Sequence, residues 1–292
     1  MRSDIVFLLY FYYNDLWRDF IKNIQEKEGT DMKIAAAQMS LLLGDVEHNY
    51  KQAEEWIRNA AQEKPDIVVL PEMWNTSFYP DDIYELADEN GRRTQAFLSE
   101  LAVRFGVHII GGSVAVRRGE KLYNTMYVAE RSGRIVGSYD KVHLFAPGHE
   151  DEKFTPGDHS FAFSLDSVPM ATVICYDVRF PEWVRMATLS GAQIIFVPAA
   201  WPTSRIDHWH ILNQARAIEN QLFIVAVNSC GNTDSMQFGG HSMIIDPWGN
   251  VLAQGGDGEE LLRADIDLDS VADIRSRINI FHDRQPALYD LT

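Results

Sequence analysis

Residues 65–72 read PDIVVLPE: a run of Ile, Val, Val and Leu that enters a proline and then a carboxylate. Short β-branched runs bounded by proline and charge are the signature of buried strands. The same pattern returns in AQIIFVPAA (192–200), again an apolar strand running into a proline, and the echo suggests two related halves. Working outward, strand-like runs cover 33–38, 67–70, 108–116, 122–130, 134–139, 171–174, 193–197, 223–228, 241–246 and 261–266. Helical periodicity stands out in 46–63 (Ala53, Trp56, Ile57 and Ala60 on one face), in 93–105 (Phe97, Leu98, Leu101, Phe105) and in 205–220 (Ile206, Trp209, Leu212, Ile218). Arg131-Ser132-Gly133 and Pro247-Trp248-Gly249-Asn250 read as hairpin turns. Hairpins combined with helical crossovers predict mixed sheets with helices outside, an α/β layered domain.

The chain has 292 residues, 46% of them hydrophobic and 23% charged, and a formal net charge of −16. That acidity argues against a nucleic-acid partner, which needs clustered Lys and Arg. No phosphate-binding glycine motif is present; Gly111-Gly112 and Gly239-Gly240 are bare pairs. Cys175 and Cys230 are the two cysteines, too few for a disulfide framework, so a reducing, cytoplasmic setting is expected. Residues 1–31 read differently from the rest. Their apolar run, Ile5 to Tyr13, is too short to cross a bilayer, and Asp4 precedes it with no small-residue cleavage site after it. Residues 14–31 could form an amphipathic helix. Lys27-Glu28-Gly29 can be encoded by a purine-rich ribosome-binding sequence just ahead of Met32. We expect 1–31 to be an N-terminal extension, a translated leader, with the enzyme domain spanning 32–292; an N-terminal helix or interface arm is the alternative.

Three ionisable residues stand where strands are expected to end: Glu72, Lys141 and Cys175. Singly each is unremarkable, since a buried Cys behaves as a small hydrophobe and a Glu or Lys past a strand is ordinarily its first solvated residue. As a set they are complementary. A thiol nucleophile needs a base to take its proton, and an ammonium can stabilise both a thiolate and the oxyanion of a tetrahedral intermediate. Other residues draw plainer readings. His208 and His210 at i,i+2 do not face one way on a helix, so a metal is not expected. His143, two residues past Lys141, would share its face in a strand, in a structural or supporting role. Cys230 reads as a bystander, and Glu219 as a packing residue paired with Arg216 at i,i+3.

The stretches LPEMWNTSFYP, YDKVHLF and CYDVRFPE resemble the three signature blocks of the nitrilase superfamily of carbon–nitrogen hydrolases. The resemblance continues through HWHILNQARAIENQLFIVAVNSCG (208–231) and GGHSMIIDPWGNVL (239–252), and so covers essentially all of 32–290. It implies an α-β-β-α sandwich that joins through helices into dimers, and it implies no cofactor and no metal. Glu72 then corresponds to the general base, Lys141 to the cation beside the tetrahedral intermediate, and Cys175 to the nucleophile that forms a thioester. The Tyr176 N–H shares the oxyanion with Lys141. A second glutamate follows the lysine in many members, and Glu150 is its match, with Asp151 and Glu152 as neighbours that could take its place. Exposed-looking apolar residues from Pro181 to Met186 fit the expected self-association.

Within the superfamily the chain looks most like small-molecule amidases of the omega-amidase and deaminated-glutathione-amidase group; Tyr176-Asp177 depart from the residues that follow the nucleophile in true nitrilases. The implied substrate is an omega-amide of a small dicarboxylic acid, such as 2-oxoglutaramate. Arg179 is the candidate for its distal carboxylate, unless it pairs internally with Asp177 or Glu182. Hydrolysis of N-carbamoyl amines or amino acids by the same triad is the alternative within the class, and a non-catalytic oligomeric binding module is the alternative outside it.

Overall fold

A computed structural model describes residues 31–233 and 236–289. The expectations for residues 1–31 therefore lie outside the described residues, apart from Asp31. In chain order the first half comprises β1 (Asp31–Gln38), α1 (Val46–Ala61), β2 (Ile67–Val69), α2 (Ile83–Leu86), β3 (Asp88–Glu89), α3 (Arg92–Phe105), β4 (His108–Ile110), β5 (Val114–Arg118), β6 (Lys121–Ala129), β7 (Ile135–Asp140) and the short α4 (Glu150–Lys153). The second half comprises β8 (Phe161–Leu165), β9 (Val168–Thr172), α5 (Pro181–Leu189), β10 (Ile194–Ala199), α6 (Ile206–Asn220), β11 (Phe223–Asn228), β12 (Cys230–Asn232), β13 (Gln237–Gly239), β14 (Met243–Ile245), β15 (Val251–Gln254), β16 (Glu260–Asp267), α7 (Asp269–Arg277) and α8 (Ile280–Asp283).

An eight-stranded sheet runs β16-β1-β2-β4-β6-β5-β3, with β7 also paired to β6, and a six-stranded sheet runs β15-β14-β11-β10-β9-β8. The period-2 alternation of the first sheet explains the layers. Ile34, Ala36, Ile67 and Val69 enter the core shared with the second sheet, where they join Met170, Ile194, Phe196 and Val225. The intervening Ala35, Ala37 and Val68 face the other way, onto Tyr50, Ala53 and Ile57 of α1 and Leu98 and Leu101 of α3. Val184 and Ala187 of α5 and Trp209 and Ala217 of α6 cover the second sheet. The result is the expected α-β-β-α sandwich.

The two echoing segments occupy equivalent places. β2 lies parallel between β1 and β4, and β10 lies parallel between β9 and β11. Both expected hairpins form: Gly133 N–H donates to Glu130 O at 2.8 Å, and Gly249 N–H to Asp246 O at 2.9 Å.

Three expectations need correction. The run 108–116 is two strands, β4 and β5, broken at 111–113. Gly112 there has φ +57°, and a Cβ on it would lie 2.0 Å from Pro71 O, so the break seats the chain against the Glu72 segment. The strand expected at 171–174 starts and ends earlier, as β9. Finally, Ile218 of α6 is 53% exposed although its periodicity put it inside. The buried face of α6 instead carries Trp209, Asn213, Arg216, Ala217 and Asn220. The donors of these polar side chains are bonded: Asn213 and Asn220 donate to Trp209 O and Arg216 O, and Arg216 Nε to Val178 O at 2.8 Å. Arg216 also pairs with Glu219 at 2.8 Å, as expected. Among the described residues, no helix is long and apolar enough to cross a membrane.

Candidate active site

Each of the three candidate residues emerges just past a strand and is held by backbone bonds. Glu72 follows β2 by way of Leu70 and Pro71. Leu70 N–H donates to Ile110 O, Ser113 N–H to Pro71 O and Trp74 N–H to Ser113 O, all at 3.0 Å, which locks the Glu72 segment onto the β4–β5 break. Lys141 follows β7 directly; its N–H donates to Asn124 O and its carbonyl accepts from Gly157 N–H, both at 2.9 Å. The preceding Asp140 is gripped by Arg118 at 2.6 and 3.1 Å and by Thr125 Oγ1 at 2.6 Å. Cys175 opens the 3₁₀ turn Cys175–Arg179 with φ +47°, a left-handed conformation that L-residues seldom take. That bend makes a sharp elbow between β9 and α5, and strain of this kind costs about 1–3 kcal/mol where the surroundings enforce it.

Asp177 does the enforcing. Fully buried, it accepts from Ile174 N–H (2.9 Å), His143 N–H (2.9 Å) and Tyr139 Oη (2.7 Å), with the His143 ring Nδ1 at 2.7 Å. His143 therefore has a supporting part, but not as a strand neighbour of Lys141, because β7 ends at Asp140. Its ring stacks on Phe180 at 3.7 Å and braces the elbow.

The side chains meet in one buried cluster. Lys141 Nζ lies 2.9 Å from Glu72 Oε1 and 2.7 Å from Glu150 Oε2, with all three side chains excluded from solvent. Asp151 and Glu152 are exposed, so Glu150 is the second glutamate of this cluster. Glu72 Oε2 accepts from Ala200 N–H at 2.8 Å, and Glu150 Oε2 from Phe145 N–H at 2.7 Å. The strand echo thus has a physical counterpart: the end of β2 supplies Glu72, and the chain just past β10 supplies the amide that fixes it. Cys175 lies near enough to Glu72 and the Ala200 amide for both to act on its thiol. Burial pulls the Lys141 ammonium toward neutrality, but the Glu150 and Glu72 charges outweigh that and raise it well above the ordinary lysine range. Burial, and then the Glu72 charge, push the Cys175 thiol well up, with Lys141 pulling the other way. The resting group is thus a thiol poised beside a carboxylate, whereas a cationic pocket holding a thiolate would need fewer acids around the lysine. An ammonium has three donors. Two are spent on Glu72 and Glu150, leaving one for a developing oxyanion. Hydrogen bonding within the 3₁₀ turn begins with Asp177 N–H to Ile174 O, which leaves the Tyr176 N–H ahead of it without an internal partner.

Periodicity and motif reading missed several members. Asn124 of β6 donates through Nδ2 to Glu72 Oε1 at 2.8 Å and to Glu150 Oε1 at 3.0 Å. Its one signal was an Asn inside a strand, where that residue is disfavoured. Asn228 accepts from Trp201 N–H at 2.6 Å and donates to Trp201 O at 3.1 Å, fixing a wall of the site. Tyr79, with φ +64°, is held far above the usual phenol range by burial and then by the Glu150 and Glu72 charges.

A small cavity opens beside Cys175, lined by Phe78, Phe145, Tyr176, Trp201, Arg179 and Arg205 among others. Arg179 makes no pair with Asp177 or Glu182. Its guanidinium sits 4.6 Å over the Trp201 ring, with Nη2 3.3 Å from His208 Nδ1. His210 instead faces the His241 ring, at 5.2 Å, so the two histidines part ways as expected. Cys230 is buried, at the start of β12, and its thiol is pushed up to about 12 by burial and then by Glu259.

Residues 33–276 match the carbon-nitrogen hydrolase family. The 2-oxoglutaramate amidase of Bacillus subtilis is 45% identical over 256 residues, covering 88% of this chain and 98% of that protein. The omega-amidase NIT2 of Homo sapiens is 34% identical over 251 residues, covering 82% and 91% respectively. The crystal structure of Saccharomyces cerevisiae Nit3, a member of branch 10 of the nitrilase superfamily, superposes with a TM-score of 0.80 at 31% identity, covering 85% of this chain and 94% of that one. With the family match spanning most of its length, the chain belongs to the carbon-nitrogen hydrolases.

Proposed function

We propose that the protein is an amidase that hydrolyses an omega-amide of a small dicarboxylic acid, with 2-oxoglutaramate as the leading substrate, to the dicarboxylate and ammonia. Glu72 takes the Cys175 thiol proton as sulfur attacks the carboxamide carbon. The oxyanion forms against the free donor of Lys141 and the Tyr176 N–H. As the C–N bond breaks, Glu72 returns that proton to the leaving nitrogen and ammonia departs, leaving a thioester. Water gives a proton to Glu72 and attacks the thioester; as the C–S bond breaks, Glu72 returns that proton to the sulfur, and the acid product ionises to the carboxylate. Glu150 and Asn124 position Lys141 and Glu72 throughout. No step calls for a metal or an organic cofactor.

The observation that carries this reading is the Glu72–Lys141–Glu150 cluster beside the Cys175 elbow, at a cavity whose charged wall includes Arg179. The relatives' names supply the substrate class. Arg179 is the proposed receptor for the distal carboxylate, since a guanidinium over the Trp201 face, with Nη2 beside His208 Nδ1, still has donors left for a carboxylate. The test is a panel of omega-amides, aliphatic amides, nitriles and N-carbamoyl compounds with ammonia release as readout. Omega-amides should lead, and Cys175→Ala should lose at least about 10⁴-fold while remaining folded. Preference for N-carbamoyl compounds would overturn the substrate, and near wild-type turnover by Cys175→Ala would overturn the mechanism. Self-association through α5 and α6 belongs to the same proposal, because Met186, Leu189, Ile211 and Ile218 stand 44–64% exposed on those helices.

A further inference from the structure

Arg205 is one of sixteen arginines in the described residues. Eight others in the described residues, from Arg93 to Arg277, hold a carboxylate. Arg205 and Arg179 hold none among the described residues, in a protein with 42 acidic residues against 26 basic. Both line the cavity beside Cys175, and among the described residues no carboxylate lines it with them. They arrive from different directions: Arg179 ends the nucleophile's 3₁₀ turn, and Arg205 ends the turn Thr203–Arg205 that leads into α6. Each guanidinium lies over an aromatic face, Arg205 4.9 Å from the Phe145 ring and Arg179 4.6 Å from Trp201. Stacking supports a planar cation while leaving its donor edge free. The two cations are near enough that Arg205, after burial, helps lower Arg179. Like charges held together at a half-buried wall are unfavourable until an anion joins them.

We infer that Arg205 is a second specificity-determining residue, which with Arg179 forms an arginine pair receiving the far end of a 2-oxo dicarboxylic omega-amide. This rests on the amidase reading above and deepens it. A 2-oxo carboxylate presents three acceptor oxygens in one plane, one more than a simple carboxylate, and so can use donors from two guanidiniums. The pair therefore favours 2-oxoglutaramate over glutaramate, and both over neutral pentanamide, at equal chain length.

The experiment measures kcat and KM on these three amides for the wild type, Arg205→Gln and Arg205→Lys, with competitive inhibition by 2-oxoglutarate and Tm alongside. In Arg205→Gln, the ratio of kcat/KM for 2-oxoglutaramate to that for pentanamide should fall about ten- to a hundredfold, mainly through KM. Inhibition by 2-oxoglutarate should weaken in parallel, and Arg205→Lys should recover part of both. If wild type prefers 2-oxoglutaramate but Arg205→Gln keeps the ratio, because neither substrate or both equally are affected, the assignment to Arg205 is overturned and the amidase reading stands. A wild type that prefers N-carbamoyl compounds to all three amides overturns both.

Discussion

The Tyr139 hydroxyl donates to Asp177 Oδ2 at 2.7 Å, and through that one bond the strand that delivers Lys141 is tied to the turn that delivers Cys175. Burial and the Asp177 charge keep this phenol well above its usual range, so it remains a donor at any working pH. Trp183 Nε1, from α5, donates to the same oxygen at 3.0 Å.

Removing that hydroxyl is the most direct check on how the elbow is held. Tyr139→Phe keeps the ring but strips Asp177 of a donor and leaves Trp183 unpartnered, at a cost of about 1–3 kcal/mol. Chemical denaturation should show that loss. kcat should drop more than KM rises, because the distance between Lys141 and Cys175 is what loosens. An unchanged kcat in a destabilised protein would mean the bond serves folding alone.

Thiol reactivity gives a separate test of the resting state. Burial and the Glu72 charge both raise the Cys175 thiol, and Lys141 opposes them. Glu72→Gln removes the raising charge, so the thiol should titrate at lower pH and react faster with iodoacetamide at a fixed pH near 8. Ammonia release should meanwhile fall about 10²–10⁴-fold for want of a base. Slower alkylation in Glu72→Gln would show that Glu72 assists thiolate formation more than its charge opposes it.

Asn124 bridges the two carboxylates that flank Lys141. Asn124→Leu should therefore cost stability of about 1–3 kcal/mol and lower kcat, because two buried acceptors lose a donor at once. Equal activity in Asn124→Leu, measured by ammonia release, would remove Asn124 from the positioning shell.

The exposed residues of α5 and α6 give a prediction about assembly. Sedimentation at micromolar concentration should show at least a dimer, and Ile211→Glu, at a position 64% exposed, should shift it toward monomer without lowering Tm of the isolated fold. A wild type that sediments only as monomer removes the claim.

Much of the molecule was legible from the chain alone, because its signals are local. The runs 67–70 and 223–228 are rich in Ile and Val and 33–38 in Ile and Ala, and each is a strand buried on both sides or nearly so, which is why no alternation was needed to find it. Glu72, Lys141, Cys175 and Glu150 were reachable because each sits in a contiguous block, and a block keeps its residue types whatever packs against it. Tertiary structure decided the rest. The antiparallel pairing of Asp31–Gln38 with Glu260–Asp267 closes the first sheet across most of the chain, and no local period encodes a partner that distant. The exposure of Ile218 follows from hydrogen-bonded Asn and Arg side chains taking the inner face of α6, where an apolar count looks the wrong way. The Ala200 amide on Glu72, the Tyr139 hydroxyl on Asp177 and the guanidinium of Arg205 beside that of Arg179 join residues from separate elements. Each of them is an ordinary amide, phenol or cation until the two sheets close and burial makes its single partner matter.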